Sequence, residues 1–188
     1  MRARMALKQA NIAVDIREVS LRDKPSHMLQ VSPKGTVPVL VLVDNKVIEQ
    51  SLDIMQWALL QYDVDGWLQG DARLTQQLIS ENDGSFKLAL DRYKYPERYV
   101  KDSAIDFRAQ GEVFLQKLEA LLNQSNFLLG EKVSLADIAI FPFIRQFSAA
   151  DAAWFEIAPY PKLRAWLNHF VMSDLFEAIM KKQPTYIE

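Results

Sequence analysis

The sequence predicts an α/β half followed by an all-helical half. Three observations carry this reading. Apolar residues alternate with polar ones at 12–16 and run unbroken at 39–43, which are strand patterns. From Leu78 onward they recur instead at three- and four-residue steps, the spacing of helices. Between the two lies 63–71, with two glycines and no periodicity, which reads as a linker. The expected domains are therefore 1–62, a linker over 63–71, and 72–188.

The first half begins with a charged, helix-forming stretch over 1–10. Ile12, Val14 and Ile16 then alternate with Ala13, Asp15 and Arg17, predicting a strand with one face more buried than the other. Residues 23–31 form a short helix-like segment, which Ser32-Pro33-Lys34-Gly35 interrupts with turn chemistry. The Val and Leu run at 39–43 suits a strand covered on both faces. Asp44-Asn45 supplies a turn into a second strand at 46–49, giving a hairpin at the centre of the sheet. Ser51 can cap a helix whose Leu52, Met55, Leu59 and Tyr62 share a face. The element order of this half is α, β, α, β, β, α.

In the second half, Leu78, Asn82, Phe86, Leu90 and Tyr93 lie along one helical face, and Phe114, Leu118, Leu121 and Leu122 along another. Tyr95-Pro96 separates these helices. Ser134 and Asp137 form a capping box that opens a further helix, with Pro142 inside it. Pro159-Tyr160-Pro161 restarts the chain for a last helical pair.

Composition narrows the function. The 188 residues are 49% apolar and 24% charged, an ordinary globular balance. The net charge of -2 and a pI near 5.8 argue against a nucleic-acid partner, which calls for a basic face. There is no cysteine, so neither a disulfide scaffold nor a thiol nucleophile can come from these residues. No stretch approaches the ~18 apolar residues that span a bilayer. Without an apolar leader either, a cytoplasmic location and no membrane partner are expected. His27 and His169 stand alone, without ligand-spaced neighbours, so no metal is expected. The stretch from Phe86 to Tyr99 interleaves aromatics with Lys87, Arg92, Lys94 and Arg98. In an acidic chain it reads as a helix lining a cleft.

Gly35-Thr36-Val37-Pro38-Val39-Leu40, followed by Gln50-Ser51 opening a helix, resembles the glutathione-binding half of glutathione transferases. The helical second half with its Ser134 and Asp137 box resembles their C-terminal domain. The stretch from Leu21-Arg22-Asp23-Lys24-Pro25 through Leu40 is most similar to the omega and related bacterial thiol-transferase classes. The resemblance implies a thioredoxin-like domain followed by an all-helical domain, with glutathione as cosubstrate and a homodimer as the assembly. By the same resemblance, a cis bond at Val37-Pro38 presents the Val37 N–H and C=O to the cysteinyl backbone of glutathione, as an added strand would. The amino end of the Ser51 helix receives the γ-glutamyl carboxylate. Gln50 meets the γ-glutamyl ammonium with a neutral amide where many relatives carry Glu. Lys24, ahead of Lys34, approaches the glycyl carboxylate or the thiol. Phe86, Tyr93 and Trp154 wall the pocket for a second substrate, an electrophile or a disulfide of unknown identity.

Family members normally open with a strand and then a loop carrying Cys, Ser or Tyr at the first helix. Here residues 1–4 already resemble the inside of that helix, so the resemblance implies that the first strand and the catalytic residue are missing. Ionising the glutathione thiol needs a nearby donor, and mixed-disulfide chemistry needs a protein thiolate. Two functions follow as expectations. One is a glutathione-dependent enzyme, conjugating or transferring thiols, whose catalytic residue lies upstream of Met1. The other is a non-catalytic binding or dimerisation module on the same fold.

Overall fold

The computed structural model describes residues 1–99 and 106–187, which fall into two compact units. The first takes in Met1–Val64 together with the chain from Asp174 onward, and the second is Asp65–Ser173.

In the first unit, α1 (Arg2–Gln9) buries Met5 and Ala6 completely against α3 (Ser51–Gln61), which contributes Ile54, Met55, Ala58 and Leu59. This apolar stripe holds the unit together, because burying each of its Met, Ile and Leu side chains contributes about 1.5–3 kcal/mol. Helix α10 (Asp174–Met180) also packs on α1. Between these helices lie α2 (Ser26–Val31) and an antiparallel hairpin of β1 (Leu40–Val41) and β2 (Val47–Ile48), in register Leu40 with Ile48 and Val41 with Val47. The Asp44-Asn45 turn forms as its chemistry dictates. Asn45 takes φ 64°, and the Asp44 carboxylate accepts from the Lys46 N–H at 3.0 Å.

The sheet is smaller than the sequence pattern predicts. Residues 12–17 take no regular secondary structure and join no ladder. Only Glu18 is bridged, in parallel to Thr185 near the other end of the chain. Alternation earns a strand only where a neighbour supplies hydrogen bonds, and among the described residues none lies beside 12–17. Nor is the 39–43 run covered on both faces. Val41 is 43% exposed and Val43, beyond the end of β1, fully so.

The second unit is helical. Helix α4 (Ala72–Glu81) passes through a π-helical turn (Asn82–Phe86) into α5 (Lys87–Lys94). The sequence explains the wide turn. Leu78, Asn82, Phe86 and Leu90 are spaced by four, and each such step overshoots an α-helix by about 40°. A π turn absorbs the extra rotation, and all four residues are buried. After a 3₁₀ turn (Pro96–Arg98) come α6 (Phe107–Leu122), α7 (Leu135–Ala150), α8 (Ala152–Ile157) and α9 (Pro161–Val171). Helix α7 continues through Pro142, and its capping box is formed. The Asp137 carboxylate is fully buried. It accepts from the Ser134 N–H at 2.9 Å, the Ser134 hydroxyl at 2.6 Å, the Leu128 N–H at 3.0 Å and the Trp166 indole at 2.8 Å. Burial pushes its pKa up against the pull of those donors. Glu119, on α6, caps α9 from outside by accepting from the Lys162 and Leu163 N–H groups at 3.1 and 2.7 Å.

Candidate functional site

The first unit gathers most of the sequence-predicted residues around one end of the hairpin. The Val37-Pro38 peptide is cis, and Val37 is 48% exposed. Continued past the ladder, the β1–β2 register runs Pro38 toward Gln50 and Val37 toward Ser51. The cis-proline segment and the start of α3 therefore share one end of the hairpin.

Ser51 is the first residue of α3, and Gln50, extended at φ -96°, is its N-cap; no side chain caps the helix. Ser51 was expected as the cap, but the chain enters the helix one residue earlier. The consequence favours binding, because the first N–H groups of α3 have no side-chain acceptor among the described residues and carry the positive end of the helix dipole.

The turn before Val37 is fixed from two sides. The Gly35 N–H donates to the Ser32 C=O at 2.9 Å, with Gly35 at φ +58°. The buried Ser32 hydroxyl donates to Glu49 at 2.6 Å, and Lys34 reaches the other Glu49 oxygen at 3.2 Å. These contacts, the Ser32 bond first and the Lys34 bond second, hold the Glu49 carboxyl below its ordinary range. Lys34 is thereby occupied, whereas Lys24 has no ion pair among the described residues and lays its chain along Gly35. A β-carbon on Gly35 would sit 3.4 Å from the Lys24 ammonium nitrogen.

Two cavities flank these residues. One, of about 450 Å³, lies between residues 13–19 and 37–41, and Val37, Val39, Met28, His27, Arg17 and Tyr186 are among its walls. The other is an open groove of about 540 Å³, where Gln50 meets Lys34, Glu49, Asp53 and Trp57. Val37 lines the first and Gln50 the second. Sequence reasoning missed Ser32, Glu49, Arg17 and Tyr186. No short-range pattern joins Ser32 to Glu49 or residue 17 to residue 186.

The three proposed second-substrate residues lie in the second unit and meet through one ring. Phe147, fully buried on α7, stands 5.5 Å from Phe86, 5.0 Å from Tyr93 and 6.2 Å from Trp154 between ring centroids. Phe86 is itself 1% exposed, so its ring is core. Tyr93 and Trp154 are half-buried. The Arg108 guanidinium lies 4.9 Å from the Trp154 ring centroid. The buried Tyr93 hydroxyl has no hydrogen-bond partner among the described residues, and burial, then the Asp151 charge, raises its pKa. His169 stacks edge-on with Phe127 and Phe170. Among the described residues no His, Asp and Glu cluster could hold a metal, and no helix is long and apolar enough to cross a membrane.

Comparison with known proteins agrees with this architecture. Residues 1–66 match the glutathione S-transferase N-terminal domain, and residues 90–169 match the glutathione S-transferase C-terminal domain. The chain is 26% identical over 195 aligned positions to glutathione S-transferase U19 of Arabidopsis thaliana, covering 98% of this chain and 84% of that protein. Its fold is similar to the ternary complex of BphK, a bacterial glutathione transferase, with TM-score 0.80 and 19% identity over 96% of this chain and 92% of that one. It is likewise similar to the glutathione transferase URE2P6 from Phanerochaete chrysosporium in complex with oxidized glutathione, with TM-score 0.79 and 16% identity over 95% and 88% of the two chains. With a cis-proline hairpin beside an uncapped helix in one unit, an all-helical second unit, and matching domains in the same order, the chain belongs to the glutathione S-transferase superfamily.

Proposed function

We propose that the protein binds glutathione at the hairpin end of its first unit and presents it for conjugation or thiol transfer. The observation that carries this reading is the shared placement of cis Val37-Pro38 and the free amino end of α3, set by the β1–β2 register. Glutathione is an extended tripeptide with a carboxylate at each end. The backbone of Val37, an exposed residue, suits its cysteinyl amide groups. The α3 amino end and the Ser51 hydroxyl suit the γ-glutamyl carboxylate. Lys24, unpaired among the described residues, suits the glycyl carboxylate. Gln50 offers the γ-glutamyl ammonium an amide oxygen, and Asp53 in the same groove supplies negative charge nearby. The reading extends to a cytoplasmic homodimer that takes a small electrophile or disulfide beside Tyr93 and Trp154. No residue of this chain is assigned to ionising the glutathione thiol.

Calorimetry with glutathione tests the site. Ser51→Ala is expected to weaken binding about tenfold, the worth of one hydrogen bond to a charged group. Thermal stability is expected to hold, because the Ser51 side chain caps nothing. Absence of binding to the parent chain at millimolar glutathione would overturn the reading.

A further inference from the structure

Two of the groups proposed to meet glutathione, the Lys24 ammonium and the Val37 backbone, hang on one short turn. Gly35 is held there at φ +58° by its N–H bond to the Ser32 C=O at 2.9 Å. The Lys24 chain lies where a Gly35 β-carbon would stand, and Val37 follows just after. The position of the turn therefore sets both groups together. The third group, the amino end of α3, starts at Gln50, the residue after Glu49. Glu49 joins the two pieces. The Ser32 hydroxyl donates to one of its oxygens at 2.6 Å, and Lys34 reaches the other at 3.2 Å. These bonds are unequal. Lys34 is 63% exposed, and an exposed ion pair contributes little. Ser32 is completely buried, so its hydroxyl would bear the full desolvation cost without an acceptor.

We propose that Ser32 and Glu49 are positioning residues of the glutathione site, a hydroxyl-to-carboxylate bridge that fixes the turn under Lys24 and Val37 relative to the amino end of α3. Ser32 has no exposed surface and both Glu49 oxygens are engaged, so the pair acts through the groups it holds. An extended ligand with a carboxylate at each end must reach both pieces at once. Drift of either piece weakens one end of its grip, and holding them in place before binding favours affinity. That this ligand is glutathione rests on the preceding reading.

Calorimetry on Ser32→Ala, Glu49→Ala and the double variant tests the bridge, with Glu49→Gln as the conservative change. Each single variant is expected to bind glutathione about fivefold more weakly, the worth of one net hydrogen bond. The double variant should bind no worse than either, because residues that act as one unit are not additive. Glu49→Gln gives up the Lys34 ion pair but keeps an oxygen that can accept from Ser32, so it should restore most of the affinity lost in Glu49→Ala. Additive losses, or a Glu49→Gln as weak as Glu49→Ala, would overturn the bridge. Should Ser32→Ala fail to fold, the two Glu49 variants decide. Amide hydrogen exchange reads the bridge without ligand: the Gly35 N–H should exchange about fivefold faster in both alanine variants, and an unchanged rate would count against it. If Ser51→Ala weakens binding while the bridge variants match the parent chain, the bridge alone falls. If the parent chain does not bind millimolar glutathione, the proposed function falls and the positioning role with it.

Discussion

Tyr160 shows how one residue ties helices of the second unit to pH. Its ring is 2% exposed, and its hydroxyl donates to Glu112 at 2.9 Å. Burial first, and then the Glu112 bond, push the phenol up to about 12. A raised pKa means that the folded protein favours the neutral phenol. The resulting stability is whole below pH 10 and is lost as pH rises toward 12. Tyr160→Phe should cost about 1 kcal/mol at neutral pH, one net hydrogen bond. Between pH 10 and 12 that deficit should shrink or reverse, because Phe has no proton to lose. Urea unfolding at a series of pH values would reveal this, and a deficit that stayed constant up to pH 12 would contradict it.

At the scale of elements, Gly111 of α6 lets the Phe147 ring of α7 come close. A β-carbon at Gly111 would come within 2.4 Å of one Phe147 ring carbon and 2.9 Å of another. Helix propensity alone favours alanine there by about 1 kcal/mol. Phe147 is fully buried among Phe86, Tyr93 and Trp154, so it has no room to yield. Overpacking at about 1–3 kcal/mol should therefore win. Gly111→Ala is expected to lower stability in chemical denaturation, and a gain would show that the ring relocates. The same elements show what the sequence made legible. The spacing of four that runs through Asn82 and Phe86, the Ser134 and Asp137 box and the Asp44-Asn45 turn are local patterns, and the structure carries all three. The strand at 12–16 was misread because alternation describes a side-chain pattern, while a ladder needs a neighbour that no local pattern reports. Around the candidate site, the helix opening at Gln50-Ser51 was readable from local sequence and the cis bond at Val37-Pro38 from the family resemblance. The Ser32 bond to Glu49 and the docking of Tyr186 on Glu18 join residues whose proximity only the fold creates.

Over the whole molecule, a ligand that binds the folded state alone should raise its stability. Glutathione at a hundred times its Kd is expected to add about 2.7 kcal/mol, which for a chain of this size shifts the melting temperature by about 5–10 °C. A thermal scan with and without millimolar glutathione checks this, and an unmoved midpoint would count against the site. The first unit takes its last helix, α10, from beyond the whole of Asp65–Ser173. During synthesis the ribosome releases α1 and α3 early, yet α10, which packs on α1, emerges only after the second unit has been made. The unit that carries the cis-proline hairpin therefore begins to form before Asp65–Ser173 is made and gains α10 only after it.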